Sequence, residues 1–188
     1  MIASPINTAR LQLRRWEPSD AILLKEAIDS SLPELQLWVD WTLDHPMSLQ
    51  RLESQLATMR NGFAIGADWT FAIFDLQGTR LLGGAGVHSR GSRDRVELGY
   101  WLRSDATGQG YALEAATSLC TVAFSIPEVT RIDILCDVHN VRSAAVAQRL
   151  GFTLAETFPQ RFVTSRGTQR DTQRWTLSRG AGGPIRYL

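Results

Sequence analysis

The first part of the chain combines one strand-like hydrophobic pattern with two helix-like ones. Apolar and polar residues alternate one by one over residues 10–16, which predicts a strand. Two longer segments follow in which apolar residues recur every three or four positions, and each begins with a residue type that commonly caps a helix. The predicted helices cover residues 21–30, capped by Asp20, and residues 49–60, capped by Ser48 and ending at Asn61-Gly62. Residues 32–47 are a connection rich in tryptophan and proline.

The hydrophobic period then changes from helical to strand-like. Three segments, residues 69–74, 81–88 and 95–103, predict strands, and the turn residues 75–79 join the first two. Because the connections are short, we expect an antiparallel meander. A helix follows, since apolar residues recur at helical spacing at Leu113, Ala116, Leu119, Cys120, Ala123 and Phe124.

The last third of the chain predicts a crossover and a final hairpin. Residues 131–138 are a near-continuous apolar run of the kind found in buried parallel strands. A helix from Asn140 to Leu150, a strand from Phe152 and a hairpin turning at Ser165–Thr168 complete the pattern. This order predicts an α/β fold with a mixed sheet, in a single domain of residues 1–188. The glycine-rich residues 179–188 are predicted to be a mobile tail.

Composition narrows the function classes. The 188 residues carry a net charge of +1, which gives no reason to expect nucleic acid or a membrane surface as a partner. Cys120 and Cys136 lie in apolar patterns without metal-ligand spacing, and no secretion signal precedes them, so we expect reduced core cysteines in a soluble cytoplasmic protein. His45, His88 and His139 show no metal or catalytic-triad spacing, and we interpret them as structural or exposed.

The most informative segment is a strand that enters a glycine turn and then a helix, residues 97–114. Gly108 and Gly110 would let a ligand approach the backbone where the first helical amides have no internal partner. With the helix dipole, these amides form an anion site suited to a diphosphate. An ordinary helix start capped by Thr107 or Gly108 explains this segment alone equally well. A P-loop would need Gly-Lys-Ser/Thr, and a dinucleotide fingerprint would need glycine where Leu113 stands.

Three motifs together resemble a known superfamily. Glu-Leu-Gly-Tyr-Trp-Leu at 97–102, Thr-Gly-Gln-Gly-Tyr-Ala at 107–112 and the segment from Asn140 to Phe152 resemble the GNAT (Gcn5-related N-acetyltransferase) superfamily. Within it, the RimJ/RimL-type ribosomal-protein N-acetyltransferases are most similar, because residues 32–41 also resemble their N-terminal segment. The resemblance covers nearly the whole chain. Thr107 stands where the family usually has Gln or Arg, a side chain that a backbone-built anion site does not need.

The resemblance implies acetyl-coenzyme A as co-substrate, bound where two parallel strands splay apart, and no metal. A backbone amide near residues 100–102 would stabilise the oxyanion. Asn140 would both cap its helix and hydrogen-bond the pantetheine. The backbone of three strand residues would pair with the pantetheine, and five turn amides would bind the pyrophosphate. These cofactor-binding residues are Trp101, Leu102 and Arg103, followed by Gly108, Gln109, Gly110, Tyr111 and Ala112.

The resemblance also implies two catalytic residues. Glu97 stands where the family has a carboxylate base; its alternative role is a surface carboxylate paired with Arg93 or Arg95. In many relatives the general acid is a tyrosine seven residues after the asparagine that corresponds to Asn140, and this chain has Ala147 at that position. Ser143 would then act as the acid or thiolate stabiliser and contact the cofactor, although a serine in the first turn of a helix is also unremarkable.

The acceptor pocket should lie between the first two helices and the final hairpin. Trp38 and Trp41, with Trp69, are candidate walls, and Trp38 and Trp41 are the predicted substrate-binding residues. Three acidic residues, Glu34, Asp40 and Asp44, either attract a cationic amine or form a solvated face. The segment from Arg161 onward contains six arginines and one aspartate. This positive charge suits contact with an acidic partner or with the adenosine phosphate of the cofactor, and it equally suits a solvated hairpin and tail.

Three functions remain open from the sequence. The first is acetyl transfer to a primary amine, including the N-terminal amine of a ribosomal protein, by direct attack on the thioester. The second is acetylation of a small-molecule amine, such as an amino acid, a polyamine or an antibiotic. The third is a non-catalytic acyl-coenzyme A-binding module, which Ala147 and Thr107 favour. Analogy with relatives also suggests a homodimer.

Overall fold

The structure is a computed structural model that describes residues 2–66, 68–164 and 167–180. The strands within these residues are Ile6–Asn7 (β1), Leu11–Arg15 (β2), Asp68–Asp75 (β3), Leu81–His88 (β4), Arg95–Leu102 (β5), Arg131–Asp137 (β6), Thr153–Val163 (β7) and Gln169–Ser178 (β8). The α-helices are Ala21–Asp29 (α1), Leu32–Leu35 (α2), Leu49–Ile65 (α3), Tyr111–Ser125 (α4) and Val141–Arg149 (α5). Part of the predicted hairpin turn at 165–168 lies outside the described residues.

The strands form one mixed sheet in the order β1-β2-β3-β4-β5-β6-β8-β7. Strands β1 to β5 pair antiparallel in sequence order, β5 and β6 are parallel, and β8 lies antiparallel between β6 and β7. The crossover from β5 to β6 runs through α4 and returns to the neighbouring strand, as expected for a parallel pair. The α/β fold with a meander and a crossover, predicted from the hydrophobic pattern, is confirmed.

Two apolar clusters bind the helices to the sheet. The larger one joins β2, β5 and β6 to α4 and α5, and the fully buried side chains of Leu11 and Leu119 belong to it. The smaller one joins α1 and α3 to β3 and contains Leu52, Leu56 and Phe74. Burial of each such side chain contributes about 1.5–3 kcal/mol. The clusters hold α4 on one face of the sheet and α1 and α3 on the other.

The end of one long helix differs from the sequence prediction. Helix α3 runs one turn past Asn61-Gly62 and ends at Gly66, whose φ of 70° allows the left-handed cap. The helix continues because its apolar face extends to Phe63, which is buried, and Gly62 is tolerated inside it. The Ser48 cap is confirmed, since its Oγ accepts from the Arg51 amide at 3.3 Å. Asp20 holds the predicted N-cap position of α1, but its side chain accepts from the Glu17 amide and not from an amide of α1.

Arg179, directly after β8, is hydrogen-bonded to the rest of the protein. Arg179, assigned from sequence to a mobile tail, donates its amide to the Thr130 carbonyl at 2.8 Å. Its guanidinium donates to the carbonyls of Val129 and Ile126. The tail prediction was therefore wrong at Arg179, and residues 181–188 lie outside the described residues.

Two further predictions concern burial. Both cysteines, Cys120 and Cys136, are free and buried, as their apolar surroundings predicted. Burial raises the pKa of the Cys120 thiol to about 12. None of the helices in the described parts of the chain is long and apolar enough to span a bilayer.

Candidate active site

The parallel strands β5 and β6 pair at three positions and then separate. The last paired residues are Glu97 and Asp133. Beyond them, β5 continues to Leu102 beside β4 alone, and β6 continues to Asp137 beside β8 alone. The backbone edges that face each other across this gap have no strand partner. An extended ligand can pair with such an edge.

A cavity of about 810 Å³ occupies this gap. Side chains from both faces of β5 line it, since Glu97 and Trp101 alternate with Leu98 and Tyr100 along the strand. The cavity therefore connects the face of the sheet that carries α1 and α3 with the side of the gap where α5 begins. Its further lining residues include Trp16, Trp38, Trp41, His45, Thr70, His88, Arg90, Ile134, Cys136, Asp137, Ser143 and Phe162.

Glycines form part of the cavity floor. Gly84 and Gly86 on β4 and Gly99 on β5 line it. A Cβ at Gly84 would lie 2.6 Å from Nε1 of Trp101, and a Cβ at Gly86 would overlap the imidazole of His88. Two aromatic side chains thus occupy the volume that these glycines leave open, which places their polar nitrogens beside the cavity.

The glycine turn lies at the start of α4. Gly108 and Gly110 have φ angles of 75° and 81°, a region that favours glycine. From Gly108 to Leu113, the backbone amides donate to no acceptor within the described residues. Arg10 fixes the turn, since its Nη1 donates to the Gln109 carbonyl at 2.9 Å and its Nε donates to Glu114 at 2.7 Å.

These contacts leave the predicted pyrophosphate-binding residues as a row of free amides at a helix N-terminus. Such a row attracts an anion without help from a cationic side chain. Thr107 stands where relatives usually have Gln or Arg. Its hydroxyl donates to the Ser104 carbonyl at 2.9 Å and so stabilises the turn.

Glu97 lies where the two strands begin to separate. Its Oε1 accepts a hydrogen bond from Nη2 of Arg90 at 2.8 Å, and its side chain keeps 22 % of its surface exposed. This hydrogen bond raises the pKa of the Arg90 guanidinium. Glu97 therefore has an arginine partner, as its alternative role as a paired carboxylate predicted, but the partner is Arg90, and Arg95 instead contacts Asp133 at 3.5 Å.

Ser143 lies across the gap on the first turn of α5. Its amide donates to Oδ1 of Asn140 at 3.1 Å, which confirms Asn140 as the helix cap. Its Oγ lies 3.0 Å from the Tyr100 hydroxyl. This contact was not predictable from the sequence, because 43 residues separate the two side chains and only the β5–α5 geometry joins them.

Tyr100 supplies a phenol close to the gap, whereas the family's usual tyrosine position holds Ala147, which is fully buried. Burial raises the pKa of Tyr100 well above its ordinary value. The phenol is therefore neutral at any ordinary pH and can only donate or accept hydrogen bonds. The pair of hydroxyls can orient each other, with either oxygen as donor.

The three strand residues predicted to pair with pantetheine differ in their free backbone groups. The Arg103 amide donates to the Leu82 carbonyl at 2.9 Å, and the Arg103 carbonyl accepts from the Ala106 amide at 3.0 Å. Arg103 is therefore already paired and offers a ligand no free amide. In the same register the Trp101 carbonyl is directed at β4, close to Gly83, so of the three residues only Leu102 has its backbone groups on the unpaired edge.

Both predicted substrate-binding tryptophans line the cavity. The Trp41 ring makes edge contacts with Trp101, with centroids 5.7 Å apart, and with His45, at 5.8 Å. Burial lowers the pKa of His45, so this wall is neutral and aromatic at neutral pH. Trp69 packs against the larger core cluster and does not line the cavity.

The acidic residues of the same segment have different surroundings. Asp40 lines the cavity and is exposed. Glu34 pairs with Arg142 at 3.0 Å, and Asp44 pairs with Arg51 at 3.1 Å.

A buried ion pair fixes the Trp38 side of the cavity. The carboxylate of Asp137 is 1 % exposed, and its Oδ2 lies 3.0 Å from Nε of Arg170. The same guanidinium lies over the rings of Trp38 and Phe162 and donates to the Leu37 carbonyl. Arg170 therefore links β6, the final hairpin and the acceptor-side segment.

The remaining late arginines have separate partners. Arg174 pairs with Glu156 at 2.6 Å, and Arg161 lies over the Phe158 ring beside the cavity. Arg166 and Arg186 lie outside the described residues.

His88 is hydrogen-bonded within the sheet and also lines the cavity. Its Nδ1 lies 2.6 Å from Oδ1 of Asp68. This pair was not predictable from the sequence, because only the pairing of β3 with β4 brings Asp68 beside His88. His139 is exposed, as expected.

Among the described residues, no group of three or more His, Cys, Asp or Glu side chains could hold a metal ion. The arrangement offers an anion site, an unpaired strand edge, a carboxylate and two hydroxyls around one cavity.

Comparison with known proteins identifies the family to which this sequence is similar. Residues 10–153 match the family model described as the acetyltransferase (GNAT) domain. The chain is 28 % identical over 151 residues to YdaF of Bacillus subtilis (strain 168), which is named as a proposed ribosomal N-acetyltransferase. The match covers 76 % of this chain and 77 % of YdaF.

Solved structures share the fold. RimL, a ribosomal L7/L12 alpha-N-protein acetyltransferase in complex with coenzyme A, is 23 % identical with a TM-score of 0.83, over 91 % of this chain and 95 % of RimL. A ribosomal-protein-S5-alanine acetyltransferase from Vibrio fischeri is 17 % identical with a TM-score of 0.83, over 97 % and 100 % of the two chains.

Proposed function

Because the chain belongs to the acetyltransferase (GNAT) domain family, we propose that it transfers the acetyl group of acetyl-coenzyme A to the N-terminal amine of a ribosomal protein. One observation carries this proposal: a single cavity extends from Glu97, where β5 and β6 separate, past Trp101 to Ser143. The names of YdaF, RimL and the Vibrio fischeri enzyme support the choice of acceptor. A ribosomal acceptor would place the enzyme in the cytoplasm.

The free amides at the start of α4 bind the pyrophosphate of the co-substrate. The six-residue row from Gly108 to Leu113 points its N–H groups outward at the positive end of the helix dipole. The pantetheine then pairs with the β5 edge at Leu102, and Asn140 adds a hydrogen bond beyond its role as helix cap. This places the thioester beside the point where β5 and β6 separate.

Transfer requires a free amine, a stabilised oxyanion and a protonated leaving group. The amine nitrogen attacks the thioester carbonyl, whose oxygen accepts a hydrogen bond from a β5 amide. Glu97 accepts a proton from the attacking nitrogen, and Ser143 donates a hydrogen bond to the departing thiolate. The net reaction converts an ammonium ion and a thioester into an amide, a thiol and one released proton.

The acceptor enters from the face that carries α1 and α3. Trp38 and Trp41 line this side, and Asp40 adds a negative charge at the cavity that favours a cationic amine. These features support an N-terminal amine as the acceptor group.

The test measures thiol release from acetyl-coenzyme A with two panels of acceptors. One panel holds peptides that reproduce ribosomal-protein N-termini, and the other holds amino acids, polyamines and aminoglycosides. We expect release with at least one peptide and a mass gain of one acetyl group on its α-amine. Release with small amines alone would redirect the proposal to small-molecule acetylation, and coenzyme binding without release would support a non-catalytic module.

A further inference from the structure

The imidazole of His88 is held at the cavity by one strong contact and has one nitrogen free. Its Nδ1 lies 2.6 Å from the carboxylate of Asp68, which fixes the ring. Nε2 has no hydrogen-bond partner within the described residues and lies over Gly86, with Gly99 beyond it. Two glycines on neighbouring strands therefore make room for this ring, and its free nitrogen lies beside the cavity.

Nε2 of His88 is not among the buried side-chain atoms that lack a partner, so it is open to solvent or to a molecule in the cavity. His88 satisfies its other ring nitrogen with a carboxylate, the arrangement that orients an imidazole and favours the tautomer with a basic second nitrogen. Its side chain is 19 % exposed, so its open surface is the one that borders the cavity. The ring is placed to exchange a proton with a molecule in that cavity.

His88 is also the direct neighbour of Glu97. The two residues are partners in the β4–β5 register, and both side chains line the cavity. Asp68 on β3 contacts His88, and the charged residues that line the same cavity are Glu97 on β5, Arg90 after β4, Asp40 before α3, Asp137 on β6 and Arg161 on β7. Arg90 donates a hydrogen bond to Glu97, and His88 contacts Asp68. Each of these two basic side chains therefore has a carboxylate partner.

The reaction gives these two neighbours separate tasks. An N-terminal amine has a pKa of about 8 and arrives as an ammonium ion at neutral pH. It must lose one proton before its nitrogen can attack and a second proton after the carbon–nitrogen bond has formed. One carboxylate can hold only one of these protons at a time.

On this basis we infer that His88, oriented by Asp68, is a further catalytic residue, which removes the first proton from the acceptor's ammonium group. Nε2 of His88 takes that proton and leaves a neutral amine. The amine attacks the thioester, Glu97 takes the second proton from the nitrogen, and the carbon–sulfur bond breaks to release the thiolate. The inference rests on the proposed acetyl transfer to an N-terminal amine.

The test compares the pH dependence of kcat/KM for the wild type, His88→Gln and Glu97→Gln, with one peptide acceptor. Without His88 the enzyme must collect the neutral amine from solution, whose fraction falls about tenfold per pH unit below a pKa of about 8. We expect His88→Gln to lose about 30-fold at pH 6.5 and to approach the wild type above about pH 9. Glu97→Gln should stay impaired at all pH values, because the second proton must always leave.

Two further measurements separate a chemical role from a structural one. Added imidazole should restore activity to His88→Ala at neutral pH, and it should leave the wild type and Glu97→Gln unchanged. Calorimetric titration with acetyl-coenzyme A should give the same affinity for His88→Gln as for the wild type, which shows that the variant is folded.

The outcomes distinguish this inference from the proposed function. A loss in His88→Gln that is equal at all pH values, with no rescue by imidazole, would overturn the inference alone. Unchanged activity of His88→Gln at pH 6.5 would also overturn it. A wild-type enzyme that acetylates no peptide at any pH would overturn the proposed function, and the inference with it.

Discussion

The contact between Tyr100 and Ser143 can be tested by removing each hydroxyl separately and together. The variants are Tyr100→Phe, Ser143→Ala and the double variant. Each removes one oxygen and leaves the rest of the side chain in place. The 3.0 Å contact joins β5 to α5 across the gap between the parallel strands, so it affects both stability and the position of the Ser143 hydroxyl.

The effect on stability follows from the nature of the bond. Because burial raises the pKa of Tyr100, the contact is a hydrogen bond between neutral groups over the whole assay range. Such a bond contributes about 0.5–1.5 kcal/mol. In a protein of this size, that corresponds to a fall of about 2–5 °C in the unfolding midpoint. We expect each single variant to show this fall and the double variant to fall little further.

The effect on turnover should be larger for Ser143 than for Tyr100. A group that donates to the leaving sulfur contributes about 10²–10⁴-fold, and we expect Ser143→Ala to lose at least 100-fold in kcat. Tyr100→Phe leaves the serine in place but less well oriented, so its loss should be about tenfold. KM for acetyl-coenzyme A should change little in either variant.

The assay is a double-mutant cycle on kcat, with the thermal midpoint measured in parallel. If Tyr100 acts only through Ser143, Tyr100→Phe costs nothing further once Ser143 is alanine. Losses that multiply in the double variant would refute this reasoning and would make the phenol an independent participant. Unchanged kcat in Ser143→Ala would remove the serine from the mechanism.

Three further predictions concern stability. Asp137→Asn leaves Arg170 as an uncompensated, largely buried charge and should lower the free energy of unfolding by about 3 kcal/mol. The control Asp44→Asn breaks an exposed pair and should lower it by less than about 0.5 kcal/mol. Equal effects of the two variants in denaturant titrations would contradict the role of the buried pair. Because burial lowers the pKa of His45 in the folded protein, the unfolded chain binds the proton first on acidification. The contribution of neutral His45 to the free energy of unfolding should be complete above about pH 6.5 and should decline below it. Between pH 7.5 and 5.5, the thermal unfolding midpoint of His45→Phe should therefore fall less than that of the wild type. Parallel curves for the two proteins would contradict an effect of His45. Ser48→Ala removes the α3 cap and should cost about 1 kcal/mol by the same titrations, while an unchanged midpoint would show that the cap contributes nothing.

The fold was largely predictable because its signals are local. Period-two and helical patterns identify the strands and helices, and the short connections between β3, β4 and β5 determine their antiparallel order. The prediction failed where two local signals competed. Gly62 resembles a helix end, but the apolar face that reaches Phe63 outweighs it, and the cap lies at Gly66.

The site was predictable only in its backbone parts. The glycines of the turn at 108–110 carry their own conformational signal, and the structure gives them the expected positive φ angles. The side-chain pairs were not predictable, because the register of distant strands creates them. Asp68 meets His88 through β3–β4 pairing, and Tyr100 meets Ser143 because β5 and β6 separate after Glu97.

The measurement that tests the central claim most directly is calorimetric titration of acetyl-coenzyme A into the wild type, Gly110→Val and Gly151→Val. Both glycines have a positive φ, 81° and 83°, so valine strains the two backbones alike. Gly151 lies at the end of α5 with open space around it, whereas Gly110 lies in the row of free amides. We predict that the wild type and Gly151→Val bind acetyl-coenzyme A and that Gly110→Val loses at least tenfold in affinity. No binding by the wild type, or equal binding by Gly110→Val, would contradict a coenzyme site at the start of α4.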